Sequence, residues 1–123
     1  MTRGVRGATT VVNNEANEIL ENTKALLQEM IEKNNIIPAS VSHVFVSVTS
    51  DIDAVFPAKS IREFPGWKYV PVMCMREIDV PNSLEKCIRI MMVVNTAKSQ
   101  QDIQHIFQKE AIRLRPDLVE EEE

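Results

Sequence analysis

Glycine is scarce. Three glycines in 123 residues, none arranged as a phosphate-cradling loop, argue against the nucleotide-binding motifs built on such loops. Cysteine is nearly absent as well. Cys74 and Cys87 do not form a C-x-x-C pair, and two thiols make no disulfide framework, so a reduced, cytoplasmic protein is the expectation. The two histidines, His43 and His105, lack Cys or His neighbours at metal-ligand spacing. They read as surface or half-buried residues; no metal is expected, and nothing asks for a cofactor. No apolar run approaches the roughly 18 residues needed to span a bilayer, and the first residues lack the long apolar core of a secretory signal. Positive charge is not in excess either. A formal net charge of −4 argues against a generally nucleic-acid-seeking surface. Aromatic residues make up only 5% of the chain, and six methionines help fill the core in their place.

What is present fits one soluble globular domain, with 44% hydrophobic and 26% charged residues. The expected domain spans residues 1–118, followed by an acidic tail at 119–123 that like-charge repulsion should leave disordered. Residues 2–11, rich in Val and Thr, predict a first strand. Asn13-Asn14 offers a helix N-cap, with Glu15 and Glu18 well placed in the first turn. Ala16, Ile19, Leu20, Thr23, Leu26, Leu27, Met30 and Ile31 then recur at helical spacing, predicting one long amphipathic helix over 15–34. Strands follow at 44–48, at 67–74 (with Pro71 at an edge or bulge) and at 84–94. Between the first two of these, residues 58–64 predict one or two helical turns. Ser99-x-x-Asp102 has the form of a capping box ahead of a short helix bearing Ile103, Ile106 and Phe107, and 111–115 predicts a last strand. The order β-α-β-(turn)-β-β-α-β makes an α+β fold: a mixed sheet with one long helix packed on one face.

Arg89 stands out. In Cys87-Ile88-Arg89-Ile90-Met91-Met92-Val93-Val94, Ile88, Ile90, Met92 and Val94 point one way. Cys87, Arg89, Met91 and Val93 point the other. A charge among apolar neighbours needs a partner, either a carboxylate of this chain such as Glu77 or Glu85, or an anion from outside. Arg6 is a second arginine within a strand, with Gly4 and Ala8 leaving room beside it. Together with Lys59, Arg62 and Arg115 they would suit a dianionic organic acid, because a guanidinium grips a carboxylate through two parallel hydrogen bonds. Glu77 is placed to accept from a substrate hydroxyl. No serine, cysteine or lysine has an evident base partner, so covalent catalysis has little support. The predicted sheet face carrying Met91 and Val93 has no element of the chain left to cover it, which calls for a symmetric oligomer.

Several stretches carry a family resemblance: Arg6-Gly7-Ala8-Thr9-Thr10-Val11, Ala54-Val55-Phe56-Pro57-Ala58-Lys59, Gly66-Trp67-x-Tyr69-Val70-Pro71-Val72, Cys74-Met75-x-Glu77, Cys87-Ile88-Arg89 and Leu114-Arg115-Pro116-Asp117-Leu118. In this order they resemble the monofunctional bacterial chorismate mutases of the α/β, Bacillus-type class, nearly end to end. The resemblance implies a homotrimer whose three sheets form a pseudo-α/β barrel, with an active site at each subunit interface. It also implies the Claisen rearrangement of chorismate to prephenate, towards phenylalanine and tyrosine, without a cofactor. By that likeness Arg89 would lie beside the ether oxygen of the breaking C–O bond, and Arg6 would bind a substrate carboxylate. Glu77, with the backbone or thiol of Cys74, would hold the ring hydroxyl. Phe56, Ala58, Lys59, Arg62 and Met73 would line the pocket or its mouth, and Leu114 and Arg115 would close it. Phe107 stands where the family pattern has tyrosine, and Met73 where threonine is common. The first removes a hydroxyl contact to substrate; the second makes that wall less polar.

The same features leave two other readings open. One is a trimeric imine deaminase of the Rid family, which also binds a carboxylate through an interface arginine. The other is a non-catalytic module sensing a carboxylated metabolite. Loss of chorismate absorbance in the presence of the protein separates all three.

Overall fold

A computed structural model of the protein describes residues 1–114. Five strands form one sheet: β1 (Thr2–Thr10), β2 (Val41–Val48), β3 (Val72–Arg76), β4 (Cys87–Asn95) and β5 (Ile106–Phe107). Their order across the sheet is β3-β2-β4-β1-β5. β4 runs antiparallel to both β1 and β2, while β3 pairs parallel with β2 and β5 parallel with β1. The long helix α1 (Ala16–Asn34) packs on one face, and a short helix α2 (Ala58–Arg62) extends that layer.

The core follows from two periodicities meeting. From α1 come Ile19, Thr23, Leu26, Leu27, Met30 and Asn34, all buried. The sheet answers with alternate residues, Val5 from β1, Val44 and Val46 from β2, and Ile88, Ile90, Met92 and Val94 from β4. Trp67 and Ile61 are also buried in this core. Gly7 lets α1 approach β1 closely: a Cβ there would collide with the Met30 thioether and stand 3.1 Å from Leu26 Cδ1. No helix among the described residues is long and apolar enough to cross a membrane.

The ends of the elements depart from the sequence expectations in physically readable ways. Glu15, not Asn13 or Asn14, caps α1, its carboxylate accepting from Asn17 N and Glu18 N at 3.2 Å each. Glu18 reaches back to accept from Val12 N at 2.6 Å and Asn13 N at 3.0 Å. The Val12 bond is the main cause that holds its carboxyl below the usual range. The strand expected over 67–74 begins only at Val72. Hydrogen bonds Trp67 N to Phe64 O and Val70 N to Trp67 O turn the preceding segment, and Pro71 contributes only its carbonyl, to Val44 N at 2.9 Å.

The strand expected from 84 likewise starts at Cys87, because Lys86 takes φ 46°. The short helix expected after Ser99 does not form. Ser99 Oγ donates to the Asp102 carboxylate at 3.0 Å and no side chain caps the backbone there; residues 100–102 make a single 3₁₀ turn and Ile106–Phe107 add a strand to β1. The last expected strand is instead a 3₁₀ segment, Lys109–Leu114, entered at Lys109 with φ 53°. Arg115 and the acidic tail lie outside the described residues.

Gly7→Val should destabilise the protein by about 1–3 kcal/mol through overpacking. With Met30→Ala in the same chain the combined loss should fall short of the sum, because the two changes share one space. Urea unfolding midpoints at fixed protein concentration measure both effects.

Candidate active site

The second face of the sheet holds the charge. Side-chain alternation sends Arg6 and Ala8 of β1, Arg89 and Met91 of β4, and Phe45 and Ser47 of β2 away from α1. Register aligns them in two rows. Phe45, Met91 and Arg6 lie across one, and Ser47, Arg89 and Ala8 across the next. Arg89 therefore does not sit inside a two-sided core, as the apolar run predicted. Its side chain is 35% exposed, on a face where Met91 is itself partly open.

Arg89 has a carboxylate partner in the chain. Its Nε lies 2.7 Å from Glu77 Oε2. The Nε atom is buried and makes no directed hydrogen bond, so the contact is an ion pair by proximity, with the N–H aimed elsewhere. Glu77 directly follows β3 and is tied to the sheet by its N–H to Val48 O at 2.8 Å. Ser47 Oγ also reaches its Oε2, at 3.4 Å. Behind Arg89 a second network sets the start of β4. Asp51 accepts from Lys86 N with both oxygens, at 3.1 and 3.0 Å, and from Thr49 Oγ1 at 2.5 Å. Thr49 Oγ1 in turn accepts from Cys87 N at 2.9 Å.

Arg6 approaches from β1, its guanidinium 6.0 Å from the centre of the Phe107 ring, a cation–π distance. Arg6, Ser47, Glu77, Arg89, Phe107 and Leu114 line a cleft of ≈ 260 Å³. That is just under the roughly 300–1,000 Å³ typical of small-molecule sites. Two guanidiniums, one carboxylate and an aromatic wall can bind an anionic molecule with a hydroxyl. A larger cleft of ≈ 640 Å³ beside residues 82–86 holds Arg113, but that arginine is mostly exposed and already paired with Glu110 at 2.7 Å. Among the described residues no three His, Cys, Asp or Glu side chains converge to hold a metal.

The remaining candidates lie apart from this cleft within the chain. Phe56 and Cys74 line a separate groove of ≈ 550 Å³ with Val48, Ala54, Met75 and Arg76. Cys74 points to the α1 side, packed against the core, so its thiol is not beside Glu77. Ala58 is buried in α2, whereas Lys59 and Arg62 project from it, exposed. Met73 pairs with Phe45 on the open face and is 60% exposed. Arg115 lies outside the described residues. Sequence reasoning missed Ser47, Asp51 and Thr49. Alternation along Val44–Val48 does place Ser47 with Phe45, but only cross-strand register puts it opposite Arg89.

Burial is also what pushes the Cys87 thiol above its ordinary range, against the opposing pull of the neighbouring Arg89 charge. A raised pKa leaves less thiolate at any given pH. At about pH 8 a thiol reagent should leave Cys87 unmodified in the native protein and reach it only after denaturation. Peptide mapping of the labelled sites measures this; rapid native labelling of Cys87 would contradict the burial.

Comparison with known proteins bears on what this cleft serves. The pattern of the chorismate mutase type I family matches residues 2–118. The chain is 51% identical over 118 residues to the chorismate mutase AroH of Bacillus subtilis, covering 96% of this chain and 93% of that protein. It is 40% identical over 119 residues to the chorismate mutase AroH of Thermus thermophilus, covering 96% and 97%. Among solved structures, a chorismate mutase from Clostridium thermocellum superposes with a TM-score of 0.86 at 50% identity, over 89% of this chain and 96% of that one. With a match spanning nearly its whole length and the same fold, the chain belongs to the type I chorismate mutases, a family of isomerases.

Proposed function

We propose that the cleft between Arg6, Glu77 and Arg89 is where this isomerase rearranges chorismate to prephenate, and that the working site is completed by a neighbouring subunit of a homotrimer. The observation that carries the reading is Arg89: a guanidinium on the central strand, held by Glu77 at 2.7 Å, facing a cleft that Arg6 also lines.

The chemistry needs little else. A Claisen rearrangement breaks one C–O bond and forms one C–C bond in a single step, with no proton, nucleophile or metal taking part. The protein can speed it by holding the substrate in its compact reactive shape, and by fixing positive charge where negative charge grows on the ether oxygen. Arg89 takes the second role. Arg6 binds a substrate carboxylate, while Glu77 lies beside Arg89 and accepts from the ring hydroxyl. Preorganisation matters here because a guanidinium already kept near its place by strand β4 and the adjacent Glu77 charge loses little freedom when the transition state forms.

Support for a shared site comes from the residues left outside the cleft. Phe56 is 74% exposed and Met73 60% exposed, large apolar surfaces that a partner subunit would bury. In the proposed trimer, with its sheets in a pseudo-α/β barrel, the exposed Phe56, Lys59, Arg62 and Met73 of one subunit face Arg6, Glu77, Arg89, Phe107 and Leu114 of the next. The reaction feeds phenylalanine and tyrosine synthesis, and free Cys74 and Cys87 thiols agree with a cytoplasmic setting.

Arg89→Met should lower kcat by more than about 10²–10³, the effect of losing one neutral oxyanion donor, with a smaller rise in KM. Because Arg89 and Glu77 are 35% and 24% exposed, the unpaired Glu77 can hydrate, and stability should change by no more than about 1 kcal/mol. Arg89→Lys should restore only part of kcat, lacking the planar fork. Chorismate turnover and melting temperature on the same variants decide. A variant that melts early yet turns over normally would make Arg89 a structural ion-pair residue.

Sedimentation velocity should give a stable trimer at assay concentrations; a folded, fully active monomer would contradict the shared site.

A further inference from the structure

Arg6 is held at two points by one short stretch of chain, and the second hold has no counterpart in ordinary strand pairing. β5 contributes only Ile106 and Phe107 to the sheet, opposite Gly7 and Ala8. One step further along β1, the backbone N–H of Arg6 would normally meet a strand carbonyl. The backbone of Gln104 is engaged elsewhere: Asn34, at the end of α1, accepts from Gln104 N at 2.8 Å and donates to Gln104 O at 2.8 Å. The Arg6 N–H donates instead to Nδ1 of the His105 ring, at 2.9 Å. Two residues on, Phe107 stands under the Arg6 guanidinium. His105 thus fixes the backbone of the same residue whose charged end Phe107 supports.

We propose that His105 is a positioning residue for Arg6, its Nδ1 replacing a strand carbonyl so that the Arg6 guanidinium is presented to the substrate carboxylate at a set height above the sheet. This rests on the reading of Arg6 as a substrate ligand. The imidazole does this as a neutral ring with its proton on Nε2, since Nδ1 must keep its lone pair to accept. His105 itself touches no substrate. Its contribution is to substrate binding through Arg6, so it acts on KM more than on kcat.

The acceptor position gives a direct test. Asparagine places its carbonyl oxygen close to where Nδ1 lies, whereas glutamine places it near Nε2. His105→Asn should therefore keep KM within about twofold of wild type, while His105→Gln should raise it about tenfold, the effect of one lost hydrogen bond, with kcat changing less. Amide hydrogen exchange at Arg6 should quicken in His105→Gln and stay protected in His105→Asn, a readout independent of activity. In an Arg6→Met background neither His105 variant should add a further kinetic loss. The proposal is overturned if His105→Gln matches wild type, if His105→Asn and His105→Gln are equally impaired, or if the His105→Gln and Arg6→Met losses simply add. Arg6→Met with wild-type KM and kcat would instead remove the role of Arg6 itself, and the proposal with it. Circular dichroism on each variant confirms that the comparison is between folded proteins.

Discussion

One long helix can cover only one face of a five-stranded sheet, and that asymmetry governs where charge can sit in this molecule. β4 is the middle strand, and its side chains are divided between two environments. Ile88, Ile90, Met92 and Val94 are buried against the helical layer, where a charge would cost several kcal/mol without a partner. Arg89 falls on the opposite face, where it stays partly hydrated and meets Glu77. Arg6 falls there for the same reason, one strand over. The cleft is therefore a consequence of a sheet face that no helix of the chain covers, and Phe45, Met73 and Met91 are left partly open on it.

Polar side chains that substitute for missing backbone partners hold this face in register. Asp51 closes on the N–H of Lys86 and, through Thr49, on that of Cys87, which sets the start of β4 two residues before Arg89. Asn14 accepts from Asp53 N and Ala54 N at 3.0 and 3.1 Å, tying the loop that leads to Phe56 back to the entry of α1. Asn34 and His105 do the same for the chain entering β5. Each replaces a ladder hydrogen bond where a strand is too short or a loop turns away, as buried backbone groups require. A chain with few glycines and no disulfide can position its loops this way, because short side chains ending in an oxygen or ring nitrogen reach the backbone with little loss of rotamer freedom.

Much of the architecture was legible from periodicity. The helix over 15–34 differs from α1 by one residue at its start, because an apolar stripe sustained through five turns leaves no other structure open. The first strand and the central one were legible from their β-branched and alternating residues. The failures cluster where a single side chain chose between local options. Ser99 makes a side-chain bond to Asp102 and no backbone cap, and where a helix was expected there is a turn, with Ile106–Phe107 paired to β1 as a strand. Lys86 and Lys109 took left-handed backbone angles that nothing in their residue type announces.

The sequence by itself determined the fold class, the family and the residues that could carry charge chemistry, because these depend on residue identity and on spacing along the chain. Arg89 could be singled out by its apolar neighbours alone. Only the tertiary structure decided which partner it has, since Glu77 and Glu85 are equally available to a reader of the sequence and strand order brings only Glu77 to 2.7 Å. Tertiary structure also separated the candidates into two surfaces: Arg6, Glu77, Arg89, Phe107 and Leu114 in one cleft, Phe56 and Cys74 in another groove. The physical reason is that a strand's alternation says which residues share a face, but not which face is covered or which strand lies alongside. Those follow from register and packing across residues as far apart as Arg6 and His105, whose meeting no local pattern encodes.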